Sequence, residues 1–83
     1  MINLINIIKK YIDDKDYAII ITNDYIYIKN YTKLIKLNEN TINIEINNKI
    51  YIIKGNNFKI SKNISKELQI NGHVESINTN DKN

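Results

Sequence analysis

The apolar residues of the first sixteen positions recur at helical spacing. They lie three, four and seven positions apart, at Met1, Leu4, Ile5, Ile8, Tyr11 and Ile12, on one face of a 3.6-residue helix. The polar residues 13–16 end this pattern. We therefore predict an N-terminal amphipathic helix over residues 1–16 that covers an open part of a β core. A helix lying in a membrane interface is the alternative, disfavoured because Asn3 and Asn6, not a row of lysines, begin the polar face.

From Tyr17 onward the period changes to two, as in a β-strand. Ile42, Ile44 and Ile46 alternate with polar Asn43 and Glu45, which indicates a sheet with one solvated face and antiparallel pairing. Asn, Asp and Gly separate short runs, so a sandwich or barrel is expected. The predicted strands are Ala18–Thr22, Tyr25–Lys29, Lys33–Leu37, Ile42–Ile46, Ile50–Lys54, Phe58–Ile60, Lys66–Ile70 and Val74–Ile77.

The predicted fold class is mainly β, a small antiparallel β-sandwich over residues 17–78. A β-solenoid or roll is the alternative, because residues 52–55 and 68–72 are weakly alike. Residues 79–83 are polar and are predicted to form a disordered tail. The predicted core comprises Ile19, Ile21, Ile26, Ile28, Ile35, Leu37, Ile42, Ile44, Ile46, Ile50, Ile52, Phe58, Ile60, Leu68, Ile70 and Val74.

The hairpin around residues 47–49 has two possible registers. A two-residue turn at Asn47–Asn48 would set Ile44 opposite Tyr51. A three-residue loop at Asn47–Lys49 instead pairs Ile44 with Ile52 and Ile46 with Ile50. Residues opposite each other share a face, so we predict the longer loop, which keeps these isoleucines together.

The same reasoning predicts two further loops. A loop over residues 71–73 would pair Ile70 with Val74, and a loop over residues 38–41 would pair Leu37 with Ile42 and Ile35 with Ile44. Val74 and Ile77 lie three positions apart, so we also predict a bulge near Ser76.

The composition narrows the function classes. Isoleucine fills 21 of the 83 positions, and Trp, Pro and Cys are absent, which favours strands. All basic residues are lysines, and the net charge is +3, so we interpret the charge as a solubilising surface and not as a phosphate site with arginine forks. Without Cys there is no disulfide framework and no thiolate metal site. With no apparent signal peptide or transmembrane segment, the expected location is cytoplasmic.

Candidate chemistry is sparse. His73 is the only histidine and lies in a predicted turn, the carboxylates are scattered, and Gly55 and Gly72 stand alone. We therefore predict a non-enzymatic protein with no catalytic, cofactor-binding or metal-binding residues. Tyr25 and Tyr27 offer the one alternative: with nearby Lys29 and Tyr31 they could stack single-stranded nucleic acid on a small β-barrel module. We favour tyrosines that simply cover the sheet.

Three stretches together resemble one known family. They are Asn23–Tyr31 (NDYIYIKNY), Ile52–Ile60 (IIKGNNFKI) and Glu67–Ile77 (ELQINGHVESI). In this order and spacing they are similar to the YabP/YqfC family of small sporulation proteins from endospore-forming Firmicutes, over roughly residues 17–78. The last stretch is the most specific of the three. The chain departs from the family pattern at Thr22 and Lys33, where Gly is usual, and at Lys29, where Glu is usual.

The resemblance implies a process that the residues alone do not. Members of this family are mother-cell proteins linked to spore coat or spore cortex formation, without a known catalytic activity. They are encoded beside a sporulation membrane protein. The resemblance thus implies an adaptor or assembly factor whose partner is that membrane protein. From the residues themselves we expect no small-molecule substrate, and nucleic acid is disfavoured as a partner. Its contact with the membrane would be peripheral, at the forespore outer membrane.

Overall fold

The computed structural model of the chain describes residues 16–81. Within this range six strands form one sheet in the order β1-β2-β6-β5-β4-β3, and every neighbouring pair is antiparallel. The mainly β fold class is therefore confirmed, and residues 16–81 contain none of the parallel stacking of a solenoid. The strands are β1 (Ala18–Ile21), β2 (Tyr25–Lys29), β3 (Lys33–Leu37), β4 (Thr41–Ile46), β5 (Lys49–Ile64) and β6 (Glu67–Asp81).

The sheet must curl, because β2 and β3 follow each other in sequence but are separated in the sheet by three strands, and hence by four strand spacings. Only residues 30–32 join them, and four Cα steps reach at most about 14 Å. Four strand spacings in a flat sheet would be about 19 Å. The curled sheet thus forms two layers, and the core between them contains Ile26 and Ile28 from β2 together with Ile42 and Ile44 from β4.

The long strands β5 and β6 belong to both layers. In the first layer, residues 67–71 of β6 pair with β2 on one side and with β5 on the other; in the second, residues 49–54 of β5 lie between β4 and residues 76–81 of β6. Between these halves the β5–β6 pairing shifts register at two places, between Lys54 and Gly55 and between Asn56 and Lys59. Such bulges bend strands, so the shifts mark the bend at which one layer passes into the other.

Loops of the flanking hairpins bond to the backbone at this bend. The N–H of Gly72 donates to the carbonyl oxygen of Asp24 at 3.0 Å, and the N–H of Gly55 donates to that of Asn40 at 3.0 Å. Buried backbone groups need partners, so the β1–β2 and β3–β4 loops supply what the interrupted ladder does not.

The predicted three-residue loop at Asn47–Lys49 is wrong. Asn47 and Asn48 form a two-residue turn with φ of 49° and 65°, so Ile44 lies opposite Tyr51 and Ile46 opposite Lys49. Two positive φ angles are the geometry of a type I′ turn, which matches the twist of the strands. Ile50 and Ile52 consequently lie on the outer face, half-buried.

The other register predictions have mixed outcomes. Leu37 does pair with Ile42, but a bulge at Ile35 puts Leu34 opposite Ile44. No loop forms at residues 71–73, because β6 runs through them, and the hairpin turn is at residues 65–66. The bulge near Ser76 is confirmed, since Lys54 pairs with Ser76 and Gly55 with Val74.

The boundaries need two further corrections. The predicted strands 50–54 and 58–60 are one strand, β5, and those of 66–70 and 74–77 are one strand, β6. Because β6 continues to Asp81, residues 79–81 belong to the sheet and not to a disordered tail. The predicted N-terminal helix lies outside the described residues, apart from Asp16.

The predicted core is correct at its centre and wrong at its edges. Ile21, Ile35 and Ile60 are exposed, because each ends a row of side chains at an edge of the sheet or lies in a bulge. Two residues that were not predicted, Tyr31 and Ile53, are buried in it. The buried core comprises Ile26, Ile28, Tyr31, Ile42, Ile44, Ile46, Ile53, Phe58, Leu68 and Ile70.

Candidate functional site

Phe58 organises the bend of the β5–β6 hairpin. Asn57 and Phe58 lie opposite the single residue Gly72, because Asn56 pairs with His73 and Lys59 with Asn71. Asn57 adopts the left-handed conformation with φ of 59°, which Asn tolerates better than most residues. The Phe58 ring is buried against the two glycines: a Cβ on Gly72 would lie 2.5 Å from its Cδ1, and one on Gly55 2.8 Å from its Cζ.

A shallow, open groove with a volume of about 580 Å³ lies at this bend. We call it the bend groove. Seven of its eight lining residues are exposed, and the eighth, Gly72, is half-buried. The lining residues are Asp24, Tyr25, Asn56, Asn57, Lys59, Asn71, Gly72 and His73. They come from the β1–β2 loop, β2, the β5 bulge and the middle of β6, so the bend brings together residues far apart in sequence.

Most polar side chains of the bend groove have no partner within residues 16–81. The exception is Asn56, whose Nδ2 donates to Oε1 of Glu75 at 2.7 Å. In the described part of the chain, no hydrogen bond or ion pair engages the side chains of Asp24, Tyr25, Asn57, Lys59, Asn71 or His73. Other asparagines are used structurally. Oδ1 of Asn38, for example, accepts from the backbone N–H of Asn40 at 2.9 Å and of Thr41 at 2.8 Å.

The charges of the bend groove nearly cancel. Asp24 and Lys59 are of opposite sign, and the Glu75 carboxylate held by Asn56 lies alongside. His73 is exposed and also borders a smaller hollow of about 250 Å³ beside the β1–β2 loop. No group of three or more His, Asp or Glu residues within residues 16–81 could hold a metal ion.

The tyrosine platform considered for nucleic acid is mostly buried. Tyr25 is 40% exposed, but Tyr27 is fully buried, and Lys29 and Tyr31 are buried as well. The Tyr31 hydroxyl donates to Oδ1 of Asn63 at 2.9 Å, and the ammonium of Lys66 lies 5.1 Å from the centre of the Tyr31 ring. The arrangement therefore leaves one ring free for stacking, and that ring borders the bend groove.

Tyr27 is fully buried although it lies on the outer face of its layer. Burial, and to a smaller extent the negative charge of the neighbouring Glu67 carboxylate, raise the pKa of Tyr27 well above its ordinary value. The phenol thus stays protonated to higher pH than a solvated tyrosine.

The outer half of β6, residues 76–81, is an open edge of the second layer. These residues pair with β5 on one side without a register shift, and no described strand pairs with them on the other. All six are exposed, including Ile77 at 45%. The edge at β3 is better protected, because it has a bulge at Ile35 and carries Lys33 and Lys36.

The bend groove was not predicted from the sequence. A signal existed in Gly55-Asn56-Asn57-Phe58, where three residues that tolerate left-handed φ precede a large apolar one inside a strand-like run. By itself, the sequence pattern indicates a break between two strands.

The comparisons with known proteins are negative. No family model matches the chain, and neither a curated protein nor a solved structure matches it. Residues 16–81 form strands and the loops between them, so this part of the chain contains no helix that could cross a membrane.

Proposed function

We propose that this chain is a non-enzymatic adaptor that binds an extended segment of a protein partner along the outer half of β6. The observation that carries the proposal is the open edge at residues 76–81, in which every residue is exposed and the register with β5 is uninterrupted. An unprotected edge offers a row of backbone N–H and C=O groups, and adding a strand to it satisfies them.

The geometry of this edge indicates the chemistry of the segment. Ile77 lies opposite Ile53 and so belongs to the inner row that also contains Ile42, yet it remains 45% exposed. An added strand would cover it with an apolar side chain, while its alternate residues would face solvent beside Asn78 and Asn80. The expected partner segment therefore alternates apolar and polar residues.

The resemblance to the YabP/YqfC family supports a cellular location, a process and a partner for this adaptor. It suggests the mother cell of a sporulating bacterium, spore coat or cortex formation as the process, and the membrane protein encoded nearby as the partner. The adaptor would then be cytoplasmic and held at the forespore outer membrane by that protein.

The location of the protein in sporulating cells tests whether the membrane protein is its partner. A fluorescent fusion to the chain, expressed in sporulating cells, should form a ring around the forespore and become diffuse when the adjacent membrane-protein gene is deleted. A ring that survives the deletion would exclude this partner, and a diffuse signal in unmodified cells would exclude the adaptor proposal.

A pair of matched substitutions tests the surface. Ile77→Lys places a charge on the inner side of the open edge and should abolish the ring, because inward-pointing charges block strand addition. Ile35→Lys is the control, since Ile35 is equally exposed, at 46%, on the β3 edge. Loss of the ring in both variants, or in neither, would contradict binding at β6.

A further inference from the structure

The bend groove carries an inference that goes beyond the adaptor function. We propose that it is a binding site for a neutral sugar, such as one or two residues of an oligosaccharide. The groove is shallow and has a volume of about 580 Å³. The groups available to a ligand are the exposed ring of Tyr25, the side-chain amides of Asn57 and Asn71, and the exposed polar groups of Asp24 and His73. That volume is in the range of small-ligand sites.

The charges favour a neutral ligand. A phosphate or other anion would meet one ammonium group, Lys59, against the carboxylates of Asp24 and Glu75. Anion sites instead gather several cationic groups or convergent backbone N–H donors. Hard metal cations need six or more oxygen ligands, and residues 16–81 contain no cluster that could hold one.

The donor set matches hydroxyl groups. A sugar hydroxyl both donates and accepts, and a carboxamide offers a donor and an acceptor side by side. The amides of Asn57 and Asn71 make no hydrogen bond within the described residues, whereas that of Asn56 is held by Glu75. The free amides can therefore bind a ligand without breaking an internal bond. The one large apolar surface of the groove, the Tyr25 ring, suits the C–H face of a pyranose.

The backbone holds this set in place. Asn57 has a left-handed φ of 59°, and next to it the buried Phe58 ring lies against Gly55 and Gly72. Bulges of this kind redirect side chains and are over-represented at functional sites, and unusual φ values have the same association. An ordered site loses less entropy on binding a small ligand, so a weak but specific sugar contact is expected.

Titration of the isotopically labelled full chain followed by NMR tests the proposal. Maltotriose and N,N′,N″-triacetylchitotriose, neutral trisaccharides without and with acetamido groups, are the probes. At least one should give saturable shifts at residues 24–25, 56–59 and 71–73, with a dissociation constant on the order of 1 mM. Tyr25→Ala should weaken that binding about fivefold, since an aromatic contact of this kind is worth about 1 kcal/mol.

Two further variants separate ligand contact from structure. Asn57→Gly removes the amide but retains the left-handed backbone, so it should weaken binding without lowering stability. Tyr17→Ala removes a tyrosine that is 52% exposed and does not line the groove, so it should bind normally. The absence of saturable shifts with both sugars, equal binding by Tyr25→Ala, or shifts caused only by inorganic phosphate or oligo-dT would each overturn the proposal.

Discussion

Gly55→Ala should be among the most damaging substitutions in the chain. An ideal Cβ on residue 55 would lie 1.9 Å from the carbonyl oxygen of His73 and 2.8 Å from Cζ of Phe58. Real Cβ atoms essentially never come closer than 3.0 Å to such atoms, so β5 and β6 would have to separate by about 1 Å, against a normal strand spacing of about 4.8 Å.

The cost follows from what that separation breaks. Overpacking of a tight interior costs about 1–3 kcal/mol, and the hydrogen bond from Gly55 to Asn40 and its neighbours in the ladder are worth about 1 kcal/mol each. We expect Gly55→Ala to lower the free energy of unfolding by about 3–5 kcal/mol. A chain of this size has about 4–12 kcal/mol in total, so the loss is a large fraction of its stability and would unfold the variant at 25 °C if the total lies at the lower end of that range.

Urea denaturation monitored by circular dichroism measures this loss. Gly72→Ala provides an internal comparison, because its nearest obstacle is a side-chain atom, Cδ1 of Phe58, at 2.5 Å. Adding Phe58→Leu should recover part of the loss in Gly72→Ala and little of that in Gly55→Ala, where the obstacle is backbone. A loss below about 1 kcal/mol for Gly55→Ala, or its recovery by Phe58→Leu, would refute the reasoning.

Three other substitutions test the fold. Ile44→Ala should lower the free energy of unfolding by about 2–5 kcal/mol, because Ile44 is fully buried in β4; a loss below about 0.5 kcal/mol on denaturant melting would place its side chain outside the core. Asn48→Gly should raise stability by up to about 1 kcal/mol, since Gly adopts the φ of 65° more readily, and a lower urea midpoint would contradict the type I′ turn. Tyr27→Phe should reduce the pH dependence of stability in alkali. The pKa of Tyr27 is higher in the folded than in the unfolded chain, so the folded state retains a proton that the unfolded state loses above about pH 10. The stability that this proton contributes is present below that pH and is lost as the pH rises further. Melting at several alkaline pH values measures this loss in both proteins. An equal loss of stability in both would contradict the burial of the phenol.

Where the period of apolar residues was clear, the strands could be predicted. β2 and β3 have the predicted bounds, and β1 and β4 differ by one residue at one end. In β4, Ile42, Ile44 and Ile46 lie in the core as expected. Strict alternation works here because the intervening Asn43 and Glu45 cannot share the core.

The register of the β4–β5 hairpin could not be predicted, because isoleucine occupies both faces of β5. Ile50 and Ile52 lie on the outer face and Ile53 lies in the core. The rule that apolar residues share one face therefore could not decide between the two registers. The bend groove escaped prediction for a different reason. It depends on a bulge and on the docking of the β1–β2 loop near Gly72, and such long-range backbone contacts leave little local pattern.

The shared long hairpin has a consequence for how the domain comes apart. β5 and β6, of 16 and 15 residues, each contribute one half to each layer. Neither layer can lose its strands without removing strands from the other, so partial opening of a single layer should be rare compared with global unfolding. Native-state hydrogen exchange should then give similar protection to central amides of β2 and β4. The domain should unfold as one cooperative unit, with exchange-prone amides confined to its edges.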